Sequence, residues 1–462
     1  MRVRLDRRVL VVVLCVAILL VVPVLTLWQQ WGLWRYSTNG TPNSVAISSD
    51  GSYLVAGVGT GPQSGRILFF DRAGSLLWTH DTYRVISSVA ISADGSYIAA
   101  AGYQLIGQAP ALVYYGNGII YYLARDGTML WNYTTRPSPN SGGANIPVFQ
   151  IRLSSDGTRI AADTLSGILF LNDLGQVTWT HLSPGGVLSH TVMSLDGTYV
   201  ATVDDRARAF DDRGRSLWNS SIIPPTVQNI AMSPDGRYLA VDEEVSPSNA
   251  TLYLYNKTGS LMRTQPFKRP PFSMTFSAND ATMFSGTQYS VIAFDSNGKT
   301  LWNWTTPRGG YGVSSLAATS DGSYVLVGIG GNWEQTTFVL NNQGNAVWGK
   351  PVGVVRQAVL SSDGNLAAVT AGPSGGQYSS GSGSIYLLPG PRSLARDTGP
   401  VYSLLYFGQN TGLIPPAIIL PAAISATLIV ITVVRSKNWA KKNPGAKTES
   451  PKTSHQVDSE AS

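Results

Sequence analysis

SSDGSYLVAG at 48–57 and ILFFDRAGSLLW at 67–78 are the two halves of a cassette that decides the fold. It returns about every forty residues, a period that signals a stacked, repeated architecture. The first half is Ser-x-Asp-Gly ahead of an apolar run. The second is an apolar run, an Asp/Asn-x-x-Gly turn and a Leu-Trp pair. Ser-x-Asp-Gly or its Thr variant stands at Ser48–Gly51, Ser92–Gly95, Ser154–Gly157, Ser194–Gly197, Ser233–Gly236, Thr319–Gly322 and Ser361–Gly364, and a degenerate Ser-Ala-Asn-Asp at 277–280 makes eight. The second half ends at Trp78, Trp131, Trp179, Trp218, Trp302 and Trp348, with Met262 taken as the substitute for Trp in the fifth repeat. The eighth copy is missing from the end of the array, but Leu33-Trp34 precedes the first Ser-x-Asp-Gly. The N-terminal strand is therefore expected to complete the last repeat and close a ring.

Each cassette reads as four short strands, in the first case 43–48, 52–57, 66–70 and 76–80. These segments alternate or run apolar for strand-like lengths and are bounded by turn residues. Asp-Gly and x-x-Gly supply the positive φ that tight turns need. The expected fold is all-β, an eight-bladed β-propeller over 33–390 closed by its N-terminal strand, because radial repetition protects strand edges. Charged residues make up only 13% of the chain, while there are 48 Gly and 12 Trp, which suits strands and turns rather than helices.

The propeller is expected to sit between two membrane spans. Residues 9–28 and 412–434 carry no charge and are about long enough to cross the hydrocarbon layer. Trp28, Trp31 and Trp34 after the first run suit an interfacial belt rather than a cleavage site. Residues 1–8 and 435–462 each carry a net +3, and the stretch between them balances at 23 basic and 23 acidic residues. The positive-inside rule then places both termini in the cytoplasm, with the propeller outside and a linker at 391–411. The tail from 435 is polar and expected to be disordered. A nucleic-acid partner is not expected, since the net positive charge lies in the tails and the folded part is neutral. The sequons Asn39, Asn132, Asn219, Asn249, Asn256 and Asn303 all fall between the spans and are possible N-glycosylation sites.

The repeats at 292–302 (IAFDSNGKTLW) and 208–218 (RAFDDRGRSLW) resemble the tryptophan-docking motif of the pyrroloquinoline-quinone-like, or quinoprotein dehydrogenase-like, propellers. Ala293, Asp295, Gly298, Lys299 and Trp302 match that motif, with a turn one residue shorter that lacks its Thr. SPDGRYLA at 233–240 resembles the WD40-like repeats of TolB-type propellers. The resemblance implies that Trp34, Trp78, Trp131, Trp179, Trp218, Trp302 and Trp348 pack between neighbouring blades.

Closure also orients the ring. The first and last propeller segments should leave from the face carrying the Ser-x-Asp-Gly and Asp-x-x-Gly turns, which would face the membrane. The insertions at 59–65, 104–117, 136–147, 243–249, 330–336 and 372–384 belong to the other class of connection and should point away, where binding usually resides. Trp333, in one of them, is a candidate surface contact. Four residues before each Ser-x-Asp-Gly stand Ser44, Ser88, Gln150, His190, Asn229, Ser273, Ser315 and Gln357, a polar ring expected at the channel mouth.

Catalytic chemistry has little footing. The histidines are His80, His181, His190 and His455, without metal-ligand spacing, and Cys15 is the one cysteine. The vicinal disulfide of the family's alcohol dehydrogenases is thus impossible, and the polar ring offers no general base. No cofactor or metal is expected. The chain is expected to be a non-catalytic, membrane-anchored scaffold whose membrane-distal loops bind a protein or glycan. The alternatives are a quinone-dependent dehydrogenase, a hydrolase using Asp242, Glu243, Glu244 or Glu334, or an external sensor.

Overall fold

The computed structural model describes residues 34–109, 112–136, 146–184, 190–221, 229–246, 249–279, 282–306, 312–330, 336–372 and 382–393. Both apolar runs, the two charged tails and Trp333 lie outside these residues. Among the described residues no helix is long and apolar enough to cross a membrane.

The first-half motif makes the same turn in every blade. Ser48 Oγ donates to Asp50 Oδ1 at 2.8 Å and accepts from the Tyr53 N–H at 3.0 Å, while Asp50 accepts the Ser52 N–H at 2.9 Å. Gly51 sits at φ 70°, which an L side chain adopts only with strain. The bond from the Ser or Thr hydroxyl to the residue two further on recurs from Ser92, Ser154, Ser194, Ser233, Ser277, Thr319 and Ser361. The degenerate copy is a true member, with Asn279 accepting in place of Asp. Asp71, Asp211 and Asp295 accept backbone N–H groups from the second-half turns, so these loops are built as Asx turns.

Among the described residues, eight four-stranded antiparallel sheets follow from these turns. Blades 1 to 7 occupy 41–82, 85–134, 148–182, 190–219, 230–267, 273–305 and 313–350, each running from its inner to its outer strand. Blade 8 takes three strands from 354–389 and its outermost strand from Trp34–Thr38, with Trp34 opposite Leu387. The ring closes where blade 8 packs on blade 1, around Val45, Leu54, Phe70, Leu366 and Ile385. Gly390 and Arg392 N–H groups bond to Asn365 O and Gly364 O, which puts both ends of the propeller on the face of the Ser-x-Asp-Gly turns.

Three insertions expected to be loops are partly or wholly strand. Tyr97–Ala109 and Leu112–Ala124 form a long hairpin through 104–117, and Tyr53–Gly61 with Ser64–Asp71, and Tyr238–Ser246 with Asn249–Asn256, extend likewise. In all three, cross-strand pairing continues past the blade, and in blade 1 a tight turn at 62–63 closes the hairpin.

The turn carboxyls carry a pH signature. Hydrogen bonds from the Ser96 hydroxyl and N–H lower Asp94 to about 2 against the opposing effect of burial, and the Ser52 hydroxyl lowers Asp50 in the same way. At Asp156, Asp196 and Asp363 burial is the largest influence and acts upward, but the summed hydrogen bonds outweigh it and these groups are lowered too. A carboxyl depressed on folding stabilises the fold above its unfolded value and loses that contribution as pH falls through the folded value. Melting temperature should therefore decline between about pH 4 and pH 2, with a smaller decline in Asp94→Asn. Equal melting temperatures at both ends of that window would contradict this account.

Candidate functional site

What joins blade to blade is a repeated docking of the outer-strand Trp. The Trp78 indole N–H donates to Arg125 O at 2.8 Å, and a Cβ on Gly127 would lie 2.9 Å from the Trp78 ring. Trp34, Trp131, Trp179 and Trp218 donate in the same way to Arg72, Asp173, Asp212 and Lys257 carbonyls. Gly344 is the glycine under Trp302, and Trp348 is buried where blade 7 meets blade 8. Glycine is required at these turns twice over, by positive φ and by the ring pressed against it.

The fifth repeat departs from the sequence reading. Leu254 of blade 5 pairs with Arg263 as Phe69 of blade 1 pairs with Trp78, so Arg263, not Met262, stands in the Trp position. Its Cδ would lie 2.4 Å from a Cβ on Gly298, while Met262 is 42% exposed. A void of about 10 Å³ remains beside Arg263, bounded by Leu254, Met283 and Phe294 among others. A second link is missing at the same seam. Ser49, Ala93, Ser155 and Leu195 each donate a turn N–H to the next blade's turn carbonyl, the last to Pro234 O. Pro234 has no N–H to pass on to blade 6.

The polar ring is brought together near the inner strands, but several members are bonded into the blades. Ser44 Oγ accepts from the Val89 N–H at 3.1 Å, Ser88 from Ile151 at 3.2 Å, Ser315 from Ala358 at 3.0 Å, and Gln357 Oε1 from Val45 at 3.0 Å. Each is an interblade latch rather than an open channel lining. Gln150 turns instead to Arg152, 2.8 Å away, and the latch passes to Asp163 on the next strand. Asp163 accepts the Thr191 N–H and hydroxyl, both at 3.0 Å. Burial lowers the pKa of Arg152, opposed by Asp163, and burial followed by Arg152 lowers His190, which favours its neutral form. Asn229 donates its N–H to Asp242, and Ser273 lies half-buried on the inner strand of blade 6.

Sequence reasoning missed Asp163 and Arg152. Gln at this ring position is no signal by itself, since Gln357 latches where Gln150 does not, and the register pairing Gln150 with Asp163 is a property of the sheet. Among the carboxylates offered for hydrolysis, Asp242 and Glu243 point to opposite faces of one strand, and Glu243 accepts the Tyr253 hydroxyl. Burial and that bond raise Tyr253 to about 12. Glu334 lies outside the described residues. His181 Nε2 lies 2.8 Å from Asp204 Oδ2, and Arg208 Nε is 3.2 Å from the same carboxylate. This pair ties blade 3 to blade 4. Asn39, Asn132, Asn219, Asn249 and Asn303 are exposed, whereas Asn256 is half-buried and holds its own turn.

Residues 203–386 match the family model described as outer membrane protein assembly factor BamB, from the end of blade 4's second strand to blade 8. No curated protein matches the chain. Among solved structures it is similar to the C-terminal WD40 domain of Sif2, at 13% identity and TM-score 0.58, over 78% of this chain and 98% of that one. Chaetomium thermophilum Sqt1 gives 12% identity and TM-score 0.58, over 78% and 98%. The same protein bound to the N-terminus of ribosomal protein L10 gives 12% and 0.57, over 76% and 97%. At these identities the likeness is one of fold.

Two variants test the seams. Asp163→Ala removes the acceptor of two buried donors and should cost about 1–3 kcal/mol in urea unfolding. Arg263→Trp restores the repeated dock, fills the void and should stabilise by about 0.5–2 kcal/mol. A neutral Asp163→Ala or a destabilising Arg263→Trp would show that the seams are held by something else.

Proposed function

We propose that this propeller is a non-catalytic, membrane-anchored scaffold that binds a protein partner outside the membrane, through the face opposite its anchors. The observation that carries the reading is the pair of long hairpins of blades 1 and 2. They project from the face opposite the chain ends, and the Leu105 N–H of one donates to Pro62 O of the other at 3.0 Å. The bond turns two hairpins into one platform. Ile106 on it is 51% exposed, and Tyr83 in the adjoining link between the blades is 87% exposed. Exposed apolar and aromatic side chains on a rigid support are what protein interfaces use as anchors.

The anchoring rests on the two uncharged runs, on the basic residues outside them, and on the exit of both propeller ends from one face. A scaffold role is in keeping with the matched family model, and the Sqt1 complex is a case of this fold taking a protein terminus as ligand. The non-catalytic part of the reading is supported by the engagement of Asp163, Asp242 and Glu243 in blade-to-blade or within-blade bonds. A glycan partner is the less favoured ligand, since the platform offers apolar anchors.

Crosslinking in native membranes, followed by identification of what is captured, tests the proposal. Tyr83→Asp with Ile106→Asp should abolish a specific protein crosslink while shifting stability by less than about 0.5 kcal/mol, as surface changes do. An unchanged capture profile, or quinone-dependent dye reduction by the purified chain with calcium, would overturn it.

A further inference from the structure

The seam between blades 5 and 6 is where the ring lacks both its Trp dock and the turn-to-turn bond from Pro234, and it is also where a cavity opens. The cavity has a volume of about 380 Å³, and its lining includes Phe267, Lys268, Arg269, Tyr289, Ile292 and Asn303. That volume is within the range of small-ligand sites. Its apolar side is formed by Phe267, which is 8% exposed, and the half-buried Ile292. Lys268 and Arg269 are exposed, and neither has an acidic partner among the described residues. Arg269 lies over the Tyr289 ring, 5.5 Å from its centroid. The stretch between the charged tails balances to zero with Lys268 and Arg269 counted, so the two adjacent cations beside an apolar wall are a local concentration of charge.

The walls are held in place before any ligand arrives. Lys268 and Arg269 lead directly into Pro270-Pro271, whose rings limit the link to the next blade. Phe272 is seated on Gly312, where a Cβ would lie 2.3 Å from its ring. On the other wall Thr287 Oγ1 accepts the Tyr289 and Ser290 N–H groups at 3.3 and 3.1 Å, and the Tyr289 carbonyl accepts the Thr306 N–H at 2.8 Å. A preorganised site of this kind loses little entropy on binding.

The geometry points to this seam as a binding site for an acidic peptide segment of the partner. A carboxylate pairs with Lys268 and Arg269, and a neighbouring aliphatic side chain lies on Phe267 and Ile292. Asn303, at the cavity edge, supplies an amide for the peptide backbone. The inference rests on the protein-binding reading above, because the cavity opens beside the link and turn of the face on which the hairpins project. The occupant is chosen by charge complementarity and by continuity with that face, and the apolar wall gives an anion without a side chain nothing to cover.

The test uses the full chain in detergent with three probes: a fluorescein-labelled peptide alternating aspartate and leucine, its asparagine–leucine counterpart, and inorganic phosphate. The acidic peptide should bind saturably and weaken as salt is raised. Lys268→Glu with Arg269→Glu should weaken it by about tenfold or more, and Tyr289→Ala by less, at unchanged melting temperature. Equal binding of the asparagine peptide, retained binding in the charge-reversed variant, or displacement by phosphate at equal concentration would overturn the proposal. Peptide binding by a chain that captures no protein in membranes would count against the partner reading alone. Loss of the crosslink in the hairpin variant, with peptide binding kept, supports both and separates the two surfaces.

Discussion

An indole pressed on a glycine, with its N–H given to the carbonyl of the same turn, is the contact on which the ring depends. A four-stranded sheet of this size has too little of its own core to stand alone, so each blade is stable chiefly through its neighbours. The Trp meets that need with a large apolar area and one directional bond. It also explains why the turn opposite it must be glycine, since both the backbone conformation and the ring exclude a side chain. The outer rim of the propeller is thus set by pairs of residues in neighbouring cassettes, such as Trp78 with Gly127.

The inner rim is held by a different device with the same logic. Ser44, Ser88 and Ser315 each accept a backbone N–H from the next blade, and Asp163 does the same where Gln150 has replaced the serine. These polar side chains are buried on the first or second strand of their blades, and much of their hydrogen-bonding capacity is taken by the fold. That is why a polar ring, suggestive in sequence of a binding mouth, becomes in three dimensions a set of latches. Where binding is proposed, it is at places the latches leave alone: the paired hairpins of blades 1 and 2, and the seam after blade 5.

The seam after blade 5 concentrates departures from the repeat. Three departures coincide there, an Arg in the Trp position, a Pro at the turn that would donate, and a basic pair ahead of Pro-Pro. Each alone is a tolerated variation. The Arg borders a small void of its own, and the basic pair lines the larger cavity toward the other face of the same seam. Sheets on either side keep their registers, so the opening is local.

Much of this architecture was legible in the chain itself. The Ser-x-Asp-Gly and Asp-x-x-Gly turns act within a few residues, so their recurrence marks the strands, the number of blades and the closing strand at Trp34 without reference to anything distant. Side-chain partners across seams were not legible to the same degree. Arg263 takes the Trp position because of a bulge-bearing register between two strands, Asp163 becomes a latch because it lies opposite Gln150, and residues 104–117 extend a hairpin because their cross-strand pairing continues. Local turn chemistry is written in neighbouring residues and can be read in order. Packing between blades joins residues about forty positions apart through geometry accumulated over a whole sheet, and that is decided only when the ring is closed.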